Sequence, residues 1–491
     1  MSKNDESMTN PHRSNEPVIM RELDLHMSLS SDSLETEKSH LLPGDKNIFD
    51  PRATKNTISS LLGMTIVFGV LNSSGALEPL IFDALNNRSN NSNKRHKFLS
   101  HSNGYIFSAR TNFSKQTVSS VNISWVFSVN LFFLLGAGIF AGCKVDRSGV
   151  KSLTYSSCAL ATISMFCFAK SGNKLANFIV LYGFFGVAQG VLMTCCFSGL
   201  SCWYSKNLAT FSAAISLGGS IGGIVFPIFI RKSYAKFGYE TTILIYGGIV
   251  AFLGIGCSLL CDDNFEERNL NTNKKDESFS DVCKIYFKDT INLKYFLSLK
   301  FIIISIGLSA AEIGTSIVAT YLTSYCTKKG YSQQESYNFI TIMNAFGLLG
   351  RFWGVIADRW LGKFQVIITC MMIAALSNFI FLLAFGKHTW AMYLFCAFYG
   401  SSISGFLSLC PTAVSSLCND NDFGKRFSTM YLFAACTSIP LLEISGVIIG
   451  DQDSNIRYQQ FWIFTSLILL LGSFCYLYLR ISAVGLRWLK Y

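Results

Sequence analysis

Arg351 lies in "NAFGLLGRFWGVIADRW", residues 344–360, a stretch that otherwise has the composition of a lipid-soluble helix, and Asp358 and Arg359 follow seven residues later. A guanidinium at the centre of a spanning helix costs ~2.5–3.5 kcal/mol on the insertion scale, so such residues usually face a cavity or a partner. About six residues separate Arg351 from the inner end of its span, a depth of ~9 Å at 1.5 Å per residue. Two readings follow: an arginine that snorkels or pairs structurally, or a cationic anchor for an electron-rich small molecule, gated by a carboxylate. Three acids lie within apolar runs: Glu312 in "SIGLSAAEIGTSIVATY", Glu443 and Glu78. Glu312 is nearest in depth to Arg351, one or two turns away, which leaves an ion pair between them open. Asn72, Gln189 and Asn344 are amides inside spans and need partners, for which hydrogen bonds between helices are the plainest source.

These residues must be held by membrane helices. Half of the 491 residues are hydrophobic and only 14% are charged, where a soluble chain carries about a quarter. Apolar runs of 18 or more residues recur along the chain, each long enough to cross a hydrocarbon core of ~30 Å. They mark twelve spans, at about 57–82, 124–143, 150–170, 176–202, 208–230, 240–261, 297–325, 336–357, 364–386, 389–416, 427–449 and 459–480. The expected organisation is a disordered cytoplasmic tail (1–56), a six-helix bundle (57–261) with an extracellular loop at 83–123, and a cytoplasmic linker (262–296). A second six-helix bundle (297–480) and a short cytoplasmic tail (481–491) complete it. The fold class is an all-α membrane protein.

The two bundles echo each other. "GCKVDRSGVK" after the second span places Gly142, Asp146 and Arg147 as "GVIADRWLGK" after the eighth places Gly354, Asp358 and Arg359. A shared Gly-x-x-x-Asp-Arg at matching points is the signature of a parallel duplication. The glycine lets two helices approach, and Asp and Arg make charge-assisted bonds across the mouth. In the fifth span, "LATFSAAISLGGSIGGIVFP", the pairs Gly218/Gly222 and Gly219/Gly223 permit close helix packing, and Pro227 permits a bend.

Several function classes drop out. The net charge of +11 sits in tails and loops, which suits lipid headgroups and gives no nucleic-acid face. All six histidines fall in tails or loops, and the sixteen cysteines are mostly intramembrane small hydrophobes. No metal and no cofactor is expected. No phosphate-binding glycine loop and no nucleophile–base pair is present, so neither an ATP-driven pump nor an enzyme is indicated. The lysines and arginines of the short loops divide evenly between the two sides and set no orientation. Sequons at Asn87, Asn90 and Asn112, with a fourth at Asn122 close to the membrane, favour an outer first loop and cytoplasmic termini. "ETEKSHLL" carries Glu37 four residues before Leu41-Leu42, the spacing read by a sorting adaptor. Plasma membrane is the expected location, with the vacuolar membrane as alternative, and a monomer the expected state.

Three blocks, "ISWVFSVNLFFLLGAGIFAGCKVDRSG", "WYSKNLATFSAAISLGGSIGGIVFPIFIRK" and "NAFGLLGRFWGVIADRW", resemble the monocarboxylate-transporter branch of the major facilitator superfamily. "FGVLNSSGALE", "NDFGKRFSTMY" and "VGLRWLKY" resemble its fungal riboflavin-carrier members, and the likeness runs from about residue 60 to the C-terminus. The resemblance implies the major facilitator fold, twelve helices in two pseudo-symmetric halves, working by alternating access. It places Arg351 in the substrate path, and Glu312 where the riboflavin carriers also have a glutamate. Asn344, Tyr321 and Asn72 complete the expected path. Tyr321, Phe346, Phe352 and Trp353 are available to stack on a flat heteroaromatic ring. Gly347 stands where animal lactate carriers have an aspartate, the span-one lysine has no counterpart, and "DPRATKNTISS" replaces the branch's acidic signature. The expected function is transport of a small organic solute, riboflavin or a related compound, by facilitated diffusion. Proton-coupled transport of a monocarboxylate or other organic anion is the alternative, and a non-transporting nutrient sensor is the reading from another class.

Overall fold

A computed structural model describes residues 50–87, 120–171, 174–204, 207–262, 293–416, 422–449 and 455–485. By contacts the chain separates into Met1–Pro51, of which residues 50–51 are described, and Arg52–Tyr491, which holds all the packing below. Helix α1 runs over Pro51–Asn72 and resumes as Ser74–Asn87. The next are α2 (Ser120–Gly136, then Gly138–Ser148), α3 (Lys151–Ala169) and α4 (Leu175–Trp203). A continuous stretch, Leu208–Leu260, breaks its helical angles at Gly238, where φ is 77° and ψ −177°. Its 53 residues would reach ~80 Å if straight, far beyond one bilayer crossing. Glycine tolerates that positive φ where a side chain would be strained. The stretch is therefore two helices, α5 (208–237) and α6 (239–260).

In the second half, α7 is Leu299–Lys328. Helix α8 runs from Gln333–Gly350 through Trp353–Ile356 to a π-helical turn at Ala357–Leu361. Then come α9 (Lys363–Ala384), α10 (Thr389–Ser415), α11 (Phe423–Ile449) and α12 (Asn455–Val484). A capping box starts α8: the Glu335 amide donates to Ser332 Oγ at 3.2 Å, and the Ser332 amide donates back to Glu335 Oε2 at 2.8 Å.

Two expectations are corrected. The first helix begins at Pro51 rather than at 57, with Ala53 and Asn56 buried; proline suits a helix start because its missing N–H would be unbonded there. The loop expected near 231–239 is helical apart from Gly238, where the break between the two spans falls inside that interval, and α5 passes through Pro227 with helical angles. Neighbouring helices and the flanking turn can re-satisfy the carbonyl that a spanning proline releases. Glu37, Leu41, Leu42, Asn90 and Asn112 lie outside the described residues, and only the backbone of Asn87 is described, at the end of a helix.

The duplication reappears in the packing. α1 packs on α5 and α6, α2 on α4, and α3 on α4 and α6; correspondingly α7 packs on α11 and α12, α8 on α10, and α9 on α10 and α12. Gly218, Gly219, Gly222 and Gly223 form the stripe of α5 that meets α1 at Leu61, Phe68, Gly69 and Asn72. There α1 loosens into a π-helical turn, Thr65–Gly69. Gln189 Nε2 of α4 donates to the Val67 carbonyl at 2.7 Å, while its Oε1 accepts from Asn130 of α2 at 3.0 Å. A side chain bonded into the backbone ladder is a recognised cause of such irregularity.

Candidate transport site between the two halves

The halves meet along two seams. One joins α2 to α11; the other joins α5 to α8 and α10. Asp146, near the end of α2, accepts from the amides of Gly424 and Lys425 at the start of α11, both at 2.9 Å. Asp358, near the end of α8, accepts from the amide and the hydroxyl of Thr210 at the start of α5, both at 2.7 Å. Each carboxylate thus caps the first turn of a helix in the other half, where unpaired amides and the helix dipole favour negative charge. The glycine four residues earlier lies on the same helix face. A side chain at Gly142 would run into the Gly424 carbonyl and Ser428 Oγ, and one at Gly354 into Ala209 and Ala213. These Gly-x-x-x-Asp units latch the seams. Arg147 is half-buried and Arg359 exposed.

Arg351 sits within the second seam, 7% exposed. Its Nη1 donates to the Ser404 carbonyl of α10 at 2.9 Å. Nε and Nη2 both reach Ser220 Oγ of α5, each at 3.4 Å. Gly347 and Gly350 bring α8 against Ser404 and Ser401, close enough for the guanidinium to find that carbonyl. The backbone tightens at this point: amides 351, 352 and 354 bond carbonyls three residues back, at 3.1–3.2 Å. Such a tightened turn in mid-helix often marks a functional hinge. Ser212 Oγ adds a bond to the Ser408 carbonyl at 2.6 Å between α5 and α10.

The ion pair between Arg351 and Glu312 is not formed. Among the described residues no carboxylate lies within 4.0 Å of the guanidinium. Glu312 is also 7% exposed, but it sits inside the second half beside Tyr431 of α11, with Cys410 of α10 and Tyr476 of α12 nearby. Its Oε1 has no hydrogen-bond partner. Similar depth does not bring the two together, because α8 turns Arg351 toward α5 while α7 turns Glu312 toward its own bundle. Of the remaining path candidates, Asn344 and Tyr321 are half-buried, and Asn72 is exposed with its side chain against Gly223. None of the three bonds Arg351. Tyr321 packs edge-on to Phe461 at 5.3 Å.

Between the halves, α2, α7 and α11 line a narrow crevice with Ser128, Phe132, Ile313, Ser316, Ser438 and Glu443. Glu443 is exposed there, about twenty residues along α11 from the Asp146 latch. The residues that sequence reasoning missed are Ser220, Ser404, Thr210 and Asn130. Two of them carry a local signal, Ser220 as the single hydroxyl within "LGGSIGG" and Asn130 as an amide inside the apolar second span.

Like halves that pack alike, meet along two latched seams and enclose a buried cation define a helical multi-pass membrane carrier. The Major Facilitator Superfamily model matches residues 60–439, so the chain belongs to that superfamily and is a membrane transporter rather than an enzyme. Among its relatives, the riboflavin transporter MCH5 of Saccharomyces cerevisiae is 27% identical over 445 residues, covering 89% of this chain and 79% of that protein. The agnestins efflux protein AgnL12 of Paecilomyces divaricatus is 24% identical over 368 residues, covering 74% and 79%. The proton:xylose symporter XylE superimposes with a TM-score of 0.60 over 88% of this chain and 95% of its own, at 10% identity, a likeness of fold alone.

Proposed function

We propose that this transporter carries a small organic solute with an electron-rich edge, riboflavin or a related compound first, by facilitated diffusion through alternating access. The observation that carries the reading is Arg351: a buried cation between the halves, bonded among the described residues to a hydroxyl and a backbone carbonyl. A guanidinium presents five donors in a planar fork, and a neutral hydroxyl and one carbonyl leave that fork underused. The likeness to the yeast riboflavin transporter MCH5 supports the choice of cargo. The sequons of the first long loop support an orientation with both termini and both Asp–Arg ends in the cytoplasm, and the plasma membrane is the proposed residence.

Uptake of radiolabelled riboflavin in cells lacking their own carrier tests this. The intact chain should restore uptake, and Arg351→Ala should abolish it while reaching the membrane normally. Uptake unchanged by Arg351→Ala refutes the anchoring role.

One observation favours a second reading, proton coupling. Glu312 keeps an unpartnered carboxyl oxygen in an apolar interior, a place where a proton can be taken up and released. Facilitated diffusion requires uptake that ignores an imposed pH gradient, with Glu312→Gln staying within about twofold of wild type. Gradient-driven accumulation that Glu312→Gln removes is the result that would install proton coupling instead.

A further inference from the structure

We infer that Ser220 holds the Arg351 fork while the carrier is empty and is displaced by cargo, so that loading the site loosens the α5–α8 seam. The inference rests on the proposed reading of Arg351 as the cargo's anchor. Nε and Nη2 form the edge of a guanidinium that pairs in parallel with two adjacent acceptor atoms. Here both converge on a single neutral oxygen, Ser220 Oγ, at 3.4 Å each, at the long limit of a hydrogen bond. Nη1 is differently placed: its acceptor, the Ser404 carbonyl, lies at 2.9 Å on α10, within the arginine's own half.

The two attachments therefore separate by function. The short bond keeps the guanidinium oriented whichever way the halves tilt, because α8 and α10 move together. The long pair spans the halves, and it is the pair that a better acceptor replaces. The matching ligand chemistry is an edge with two neighbouring acceptors, a carboxylate or the carbonyl-and-nitrogen edge of a planar heterocycle. Once such an edge takes Nε and Nη2, Ser220 loses its hold on the second half, while the bonds of Ser212 and Thr210 still cross this seam. Ser220 is 5% exposed and stands beside the glycines that seat α5 on α1. Its release frees the seam without disturbing the packing of the first half.

The test uses the full chain, with riboflavin as the probe, and reads two quantities. In uptake assays Ser220→Ala removes the competitor, and KM should fall two- to fivefold. Ser220→Thr, which keeps the hydroxyl, should restore the wild-type KM, and Ser220→Cys should lie between. In cargo-free protein, amide exchange over 208–220 and 345–358 should be several-fold faster in Ser220→Ala than in wild type, and riboflavin should raise wild type toward that level. A lower Vmax with unchanged KM and unchanged exchange indicates a structural role only and overturns the inference. Arg351→Ala separates the failures. Normal uptake by that variant sinks the anchor reading itself, whereas a dead Arg351→Ala beside a wild-type KM in Ser220→Ala sinks only the displacement. Should riboflavin prove not to be the cargo, the exchange rates without ligand still decide whether Ser220 holds the seam.

Discussion

Asp146 takes the first amides of α11 from α2, and Asp358 takes the first amide and hydroxyl of α5 from α8. Duplicated sequence has made the same latch twice, each crossing from one half to the other. Further into the seams the likeness ends. Seven residues before Asp358 stands Arg351, and seven before Asp146 stands Ile139, also buried. Ten residues after Thr210 comes Ser220, and ten after Gly424 and Lys425 come Ala434 and Ala435. At these positions one seam carries polar side chains where the other carries apolar ones. On the proposed reading the latches belong to the motion common to both halves, and recognition to the seam that departed from the repeat. The crevice with Glu443 lies along the α2–α11 seam, away from the buried cation.

The largest effect should come from erasing that departure. Arg351→Ile copies the counterpart at Ile139 and removes charge-assisted bonds of about 1.5–3 kcal/mol each, so uptake should fall by at least about tenfold. Ile139→Val, the control in the other seam, should cost ~0.5–1.5 kcal/mol of stability through lost packing and leave KM alone. Comparable losses of uptake in the two would show that recognition is shared between seams.

A smaller effect is expected at the latches. Asp146→Asn and Asp358→Asn keep the shape of the acceptor but remove the charge at a helix N-terminus, a loss of about 1–2 kcal/mol in a partly buried site. Each should lower Vmax about three- to tenfold with KM unchanged, and amide exchange at the start of the helix it caps should accelerate. Their equivalence is the point at issue: a severe loss from one and none from the other would break the symmetry argued from the repeat.

Much of this was legible in the residues, for physical reasons. Apolar runs long enough to span lipid announce helices, and Gly-x-x-x-Asp places a close approach and an acceptor on one face wherever it occurs. Arg351 was conspicuous because charge in an apolar helix is expensive. Its partners were not: they sit on helices some 50 to 130 residues away, a backbone carbonyl leaves no pattern in the chain, and Ser220 stands out only as a lone hydroxyl among glycines. Depth along a helix suggested Glu312 as the counter-charge, and depth says nothing about which way a side chain points. The break at Gly238 falls inside the interval expected between the fifth and sixth spans, but the residue that makes it was hidden for a related reason. Proline advertises a weak point in a helix, yet spanning helices absorb it, while a glycine admits a positive φ without any neighbouring signal.

The smallest effect tests whether the halves also differ at their margins. In the first half Asp262, just past α6, accepts from Arg52 Nε at 2.9 Å and pairs with Lys151 Nζ at 3.1 Å. Trp203 Nε1 donates to its carbonyl at 3.1 Å. One residue thus gathers the ends of α1, α3, α4 and α6. Burial alone would raise the Asp262 carboxyl, but the bonds from Arg52 and Lys151 outweigh it and hold the group below the usual carboxylate range. The unfolded chain then binds the proton more readily, so the clasp contributes fully above the unfolded value of about 3.9 and is lost as pH falls through the lower folded value. Both cations are about half exposed, which limits the contribution to ~1 kcal/mol or less. Asp262→Asn should lower the melting temperature of purified protein by roughly a degree or two at pH 7, and the gap should close below about pH 4. A gap that persists undiminished at acid pH would assign the loss to the Trp203 bond and the backbone turn rather than to charge.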